Sequence, residues 1–78
     1  MKFKIGDKVR VKDINWYNKN KNKFEEVENG NKPFVKQMSK YCGDILTIIK
    51  IDDNSYYCKE DDQFWCWCDC MLEDEKFN

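Results

Sequence analysis

Apolar residues along this chain follow two rhythms. From Phe3 to Lys12, the apolar Phe3, Ile5, Val9 and Val11 alternate with charged residues on either side of Gly6-Asp7. A period of two about a Gly-Asp turn predicts strand with one buried face. Ile45-Leu46-Thr47-Ile48-Ile49-Lys50-Ile51 is a β-branched run too apolar for an edge, which predicts a central strand. Tyr56-Tyr57-Cys58-Lys59 and Phe64-Trp65-Cys66-Trp67-Cys68 then predict a hairpin closed around Asp61-Asp62-Gln63. Met71-Leu72-Glu73 reads as a final turn packing back on the sheet, with residues 74–78 as a frayed tail.

The other rhythm is helical. Phe34, Met38 and Tyr41 stand at i, i+4 and i+7 after Pro33 and before Gly43, which predicts a short helix over about 33–42. Residues 14–32 carry Asn15, Asn18, Asn20, Asn22, Asn29 and Asn31 among lysines, and read as a long polar loop. Trp16 and Tyr17 at its root either anchor it to the core or contact a partner. Four to five strands, a long first loop and one inserted helix predict a mainly β, single-domain chain curled into a small barrel.

Composition narrows this further. Seventy-eight residues allow one domain with a marginal core. No apolar stretch reaches the roughly 20 residues of a membrane-spanning helix, and the charged N-terminus does not read as a signal peptide. The expected setting is cytoplasmic, where five cysteines stay reduced. Residues 1–50 hold 12 Lys and Arg against 6 Asp and Glu, whereas residues 51–78 hold 2 against 9. That asymmetry predicts a dipolar molecule with an acidic end. Histidine is absent and no nucleophile stands in a recognisable setting, so an enzyme is not expected.

The cysteines carry the sharpest chemical expectation. Cys66, Cys68 and Cys70 share strand parity, and a hairpin pairing Cys58 with Cys66 would add a fourth thiol to that face. Four thiolates suit a structural zinc, and leave no open position for catalysis. Alternate strand residues lie roughly 6.5 Å apart, so the set converges only if the chain turns sharply at Asp69. Small buried thiols are the alternative, and disulfides a third. Cys42 either replaces Cys58 as a ligand or packs. On the opposite parity, Trp65 and Trp67 fill the interior with Tyr57 and Phe3 if the thiols face outward. If the thiols are core, the tryptophans form an outer aromatic platform.

The stretch from Phe3 to Val11 resembles the opening strand of bacterial and phage SH3-like barrels of the mind-bomb SH3-repeat type. Phe34 to Gly43 followed by Leu46-Thr47-Ile48 is similar to their helix-then-strand segment, as are Trp65 to Trp67 with Asp69, Met71, Leu72 and Glu73. The likeness leaves out 14–32, and Cys68 and Cys70 stand where such sequences tend to have Thr or Glu. The abundance of Lys and Asn further resembles low-GC Firmicutes and their phages. More loosely, the chain is similar to zinc-binding type II-A anti-CRISPR proteins.

These resemblances imply a phage protein that binds and inhibits a host protein bearing a basic surface, with Cas9 as the foremost partner. Asp52, Asp53, Glu60, Asp61, Asp62, Asp69, Glu73, Asp74 and Glu75, with Trp16 and Tyr17, are the expected contacts. The rival expectation is nucleic-acid binding through Lys19, Lys21, Lys23, Lys32, Lys36 and Lys40, with the same two aromatics for stacking. A sequence pI near 5.4 opposes it.

Overall fold

A computed structural model describes residues 1–30 and 32–77; Asn31 of the expected loop and Asn78 of the expected tail lie outside the described residues. Among the described residues three strands form one antiparallel sheet: β1 (Lys8–Arg10), β2 (Ile45–Asp52) and β3 (Ser55–Cys58), in the order β1-β2-β3. The apolar β2 is the central strand, as its composition predicts. Val9 sits opposite Leu46, and Ile48 opposite Cys58, and all four are buried. A register irregularity between Ile48 and Lys50 exposes Ile49 and returns Ile51 to the core side. A bulge shifts inward-outward parity by one residue in this way.

The expected strand at 64–68 shrinks to a single bridge, and the expected final turn at 71–73 makes another. Tyr56 pairs with Trp67 at the β3 edge, and Val11 pairs with Leu72 at the β1 edge. Residues 67–72 therefore run from one edge of the sheet to the other, turning through a 3-10 helix at Asp69–Met71. The segment beyond continues along β1. Glu73 N donates to Arg10 O at 2.8 Å, Phe77 N donates to Lys8 O at 2.5 Å, and the Arg10 guanidinium lies 5.1 Å from the Phe77 ring centre. The unpaired backbone of an edge strand recruits these residues, where the sequence reading expects fraying.

The opening strand is also shorter than expected. Gly6, at φ 96°, turns the chain so that Gly6 N donates to Ile48 O at 2.8 Å and Asp7 N to Lys4 O at 3.0 Å. The turn breaks the alternation, leaving Phe3 buried and Ile5 64% exposed.

The 14–32 segment corrects the sequence reading more strongly, because it begins with a helix, α1 (Ile14–Asn20). Asp13 caps it by accepting the Trp16 N–H at 2.9 Å. Its Asn-rich interior has weak helix propensity, so packing supplies the stability. Trp16 and Tyr17 both stack on Phe34, with ring centres 5.1 and 5.6 Å away. Tyr17 Oη also donates to Glu25 O at 2.7 Å. Val27 and Phe34 exchange backbone hydrogen bonds and close the rest of the loop.

The inserted helix is a 3-10 helix at Lys36–Tyr41, shorter than the expected 33–42 because Phe34 is spent in that bridge. Gly43, at φ 83°, follows it and donates its N–H to Val11 O at 3.0 Å. Trp67 is fully buried at the centre of the core, with Phe34 and Tyr41 edge-on at 6.1 and 5.8 Å. No described helix is long and apolar enough to cross a membrane.

Candidate functional site

The hairpin register decides where the cysteines go. Tyr56 bridges Trp67, one residue out of step with a pairing of Cys58 to Cys66. A one-residue slip sends every side chain to the other face. Cys58 is consequently fully buried among Val9, Ile48 and Trp67, and burial pushes its thiol up to about 12. Tyr56, rather than the expected Tyr57, fills the core beside Phe3 at 5.8 Å between ring centres. Cys66 stands opposite Tyr57 outside, where its Sγ donates to Tyr57 Oη at 3.3 Å and accepts from Lys32 Nζ at 3.5 Å.

The expected Cys58–Cys66–Cys68–Cys70 set is thus not assembled. Among the described residues no three His, Cys, Asp or Glu side chains converge as a metal site. The turn at Asp69 does occur, and it unites two thiols. Cys68 Sγ and Cys70 Sγ lie 3.1 Å apart, and Asn29 Nδ2 donates to Cys68 Sγ at 3.3 Å. Hydrogen bonding from Cys68 brings the Cys70 thiol down to about 7, helped by Asn29 and the nearby Lys12 charge. The Cys68 thiol is correspondingly raised, first by that hydrogen bond and then by burial. Cys42 is half-buried at the C-terminal end of the 3-10 helix Lys36–Tyr41 and packs against the core.

Several expected acidic contacts are structural. Asp61 is only 6% exposed, and its Oδ2 accepts both Trp65 N and Trp67 Nε1 at 3.0 Å. Glu60 is exposed, but its two oxygens accept Thr47 N at 2.7 Å and Thr47 Oγ1 at 2.8 Å. Asp69 accepts the Tyr56 hydroxyl. For Asp61 and Asp69 the cause is shared: a carboxylate beside a tight turn accepts N–H and O–H donors that burial would otherwise strand. Asp62, Glu73, Asp74 and Glu75 remain exposed, with Asp74 paired to Lys2 at 2.8 Å. Glu73 and Asp74 line one groove of about 330 Å³ with Lys12, Asp13 and Trp16. Tyr17 is buried, so the two aromatics do not form an exposed stacking pair.

The most exposed apolar surface lies elsewhere. Phe64 is 73% exposed and stacks edge-on against Trp65, with ring centres 4.7 Å apart. Phe24 is 69% exposed. All three border a groove of about 570 Å³ with Glu25, Glu26, Val35, Lys36 and Gln37. A second hollow of about 210 Å³ continues from it past Pro33 and Met38 to Cys66. Lys36 Nζ meets Glu25 Oε2 at 3.3 Å, tying one wall to the other. The sequence reading missed this groove because Phe24 lies inside a segment read as polar, and Phe64 was assigned to a strand.

Residues 3–56 match the Mind bomb SH3 repeat domain. The chain belongs to that family. No curated protein and no solved structure matches it, so the likeness to anti-CRISPR proteins and the phage kinship stand on no comparison. In this Mind bomb SH3 repeat domain the matched stretch spans β1, β2, the first two residues of β3, α1 and the groove wall from Phe24 to Gln37. Phe64, Trp65 and the Cys68–Cys70 pair lie beyond it.

Proposed function

We propose that this domain is a protein-binding module, without catalytic function, whose partner seats an apolar side chain in the Phe24–Phe64–Trp65 groove. The observation that carries the reading is the pair of exposed phenylalanines bordering one hollow. Large exposed apolar surface rimmed by charge marks interaction sites, and aromatic anchors dominate interface energetics. Aromatic-lined grooves on SH3-type domains receive extended peptide segments. Glu25, Glu26, Lys32 and Lys36 supply a rim of both signs.

Selection from a displayed peptide library tests this. The wild-type domain should enrich a recurrent motif holding an apolar residue. The Phe24→Ser, Phe64→Ser double variant should lose retention of that motif by at least about tenfold. Its thermal midpoint should stay near wild type, since both rings are exposed. Equal retention by the double variant would overturn the groove as the docking surface.

A narrower reading, an inhibitor occupying the basic DNA channel of a nuclease such as Cas9, rests on the acidity of residues 51–78. Its contacts reduce to Asp52, Asp53, Asp62, Glu73, Asp74 and Glu75. Unchanged Cas9 cleavage in excess domain sinks it.

A further inference from the structure

Five cysteines occupy four kinds of place. Cys58 is sealed in the core, Cys42 is half-buried, and Cys66 is engaged with Tyr57 and Lys32. Cys68 and Cys70 form a pair, with Cys70 exposed and Cys68 half-buried behind it. Their spacing follows from the backbone. Cys68 is extended, at φ −129° and ψ 167°, and the chain then tightens into the 3-10 helix at Asp69–Met71. Met71 N donates to Cys68 O at 3.0 Å, and Leu72 N to Asp69 O at 3.1 Å. Asp69, between the two cysteines, is tied to the core through the Tyr56 hydroxyl.

In straight strand, residues two apart lie about 6.5 Å from each other, near the outer limit for disulfide closure. The turn draws the sulfurs to 3.1 Å, within about 1 Å of the bonded separation.

We propose that Cys68 and Cys70 form a thiol–disulfide exchange site for low-molecular-weight disulfides. The exposed Cys70 thiolate attacks one sulfur of the small disulfide, forming a mixed disulfide and expelling a small thiolate, which takes up the proton that Cys70 lost. Cys68 then gives up its proton and attacks the Cys70 sulfur. The Cys68–Cys70 bond forms, the mixed disulfide breaks, and a second small thiol leaves. Two protein thiols are oxidised by two electrons, and one small disulfide is reduced to two thiols. Cys70 reacts first because it is accessible; Cys68 resolves because it is adjacent.

The native, full-length chain is incubated with oxidised glutathione, quenched in acid, alkylated in denaturant and peptide-mapped. The expected product carries a Cys68–Cys70 disulfide with Cys42, Cys58 and Cys66 alkylated, formed at least about tenfold faster than any other thiol reacts. Cys68→Ser should accumulate a stable glutathione adduct on Cys70, and Cys70→Ser should form no internal disulfide. A lasting adduct on wild-type Cys70, a disulfide to Cys66, or modification no more selective than in the urea-unfolded chain would each overturn the proposal.

Discussion

The Tyr56 hydroxyl donates to Asp69 Oδ1 at 2.5 Å while accepting the Phe3 N–H at 3.0 Å. One oxygen thereby joins the N-terminus, the buried strand β3 and the 3-10 turn that crosses between the sheet edges. Tyr56→Phe keeps the ring and removes this joint, leaving the buried Phe3 N–H without its acceptor. A loss of about 2 kcal/mol is expected, read as a fall of roughly 10 °C in thermal midpoint for a domain of this size.

The same contact sets an alkaline limit. Burial, and then the hydrogen bond to Asp69, raise Tyr56 from 10.0 to about 12, and burial raises Cys58 from 9.0 to about 12. Both groups are neutral when protonated, and between those values the unfolded chain has lost protons that the folded chain keeps. Stability from both is full below pH 9, and falls as pH rises from there toward about 12. Thermal midpoints measured from pH 8 to 11.5 should decline, and in Tyr56→Phe the decline above pH 10 should be shallower.

Asp61 and Asp62 are neighbours with opposite fates. Asp61→Ala strands the Trp67 indole N–H and the Trp65 N–H, and should cost about 3 kcal/mol. Asp61→Asn, which retains an acceptor, should cost less. Asp62→Asn keeps the residue's tolerance of φ 55° and should change stability by under about 0.5 kcal/mol. Urea unfolding of the three variants orders them.

The thiols separate in the same manner. Cys58→Ser places a hydroxyl in a sealed apolar site and should lose about 1–3 kcal/mol. Cys66→Ser, at a half-buried site, should lose well under half of that. With no three ligands converging among the described residues, incubation with a strong chelator should leave the thermal midpoint unmoved. A midpoint lowered by chelator, and restored by zinc, would contradict the thiol placement described above.

Much of the fold was legible in local pattern. The β-branched run at Ile45–Ile51 marks the central strand because an apolar run must be covered on both faces. Asp52 to Ser55 makes its turn, Phe34 and Met38 mark the core side of the short helix, and Gly43 ends it. Other features were present in the sequence but outweighed. Asp13 is a sound helix cap, yet the asparagines after it read as loop until Trp16 and Tyr17 have Phe34 to pack on. Val27 is one apolar residue in a polar stretch, and nothing local sets it opposite Phe34.

By itself the sequence determined which segments alternate, which run is central, that the thiols share parity from 66 to 70, and that only a turn at Asp69 can bring them together. The tertiary structure decided the pairing of Tyr56 with Trp67. That choice is worth a single residue of register, and it carries Cys58 and Tyr56 inward, Cys66 outward and the Asp61 carboxylate to the indole N–H of Trp67. Local propensity is blind to it, because both registers satisfy the same alternation along each strand. Only burial of the large Trp67 ring between Phe34 and Tyr41, contributed by distant parts of the chain, distinguishes them.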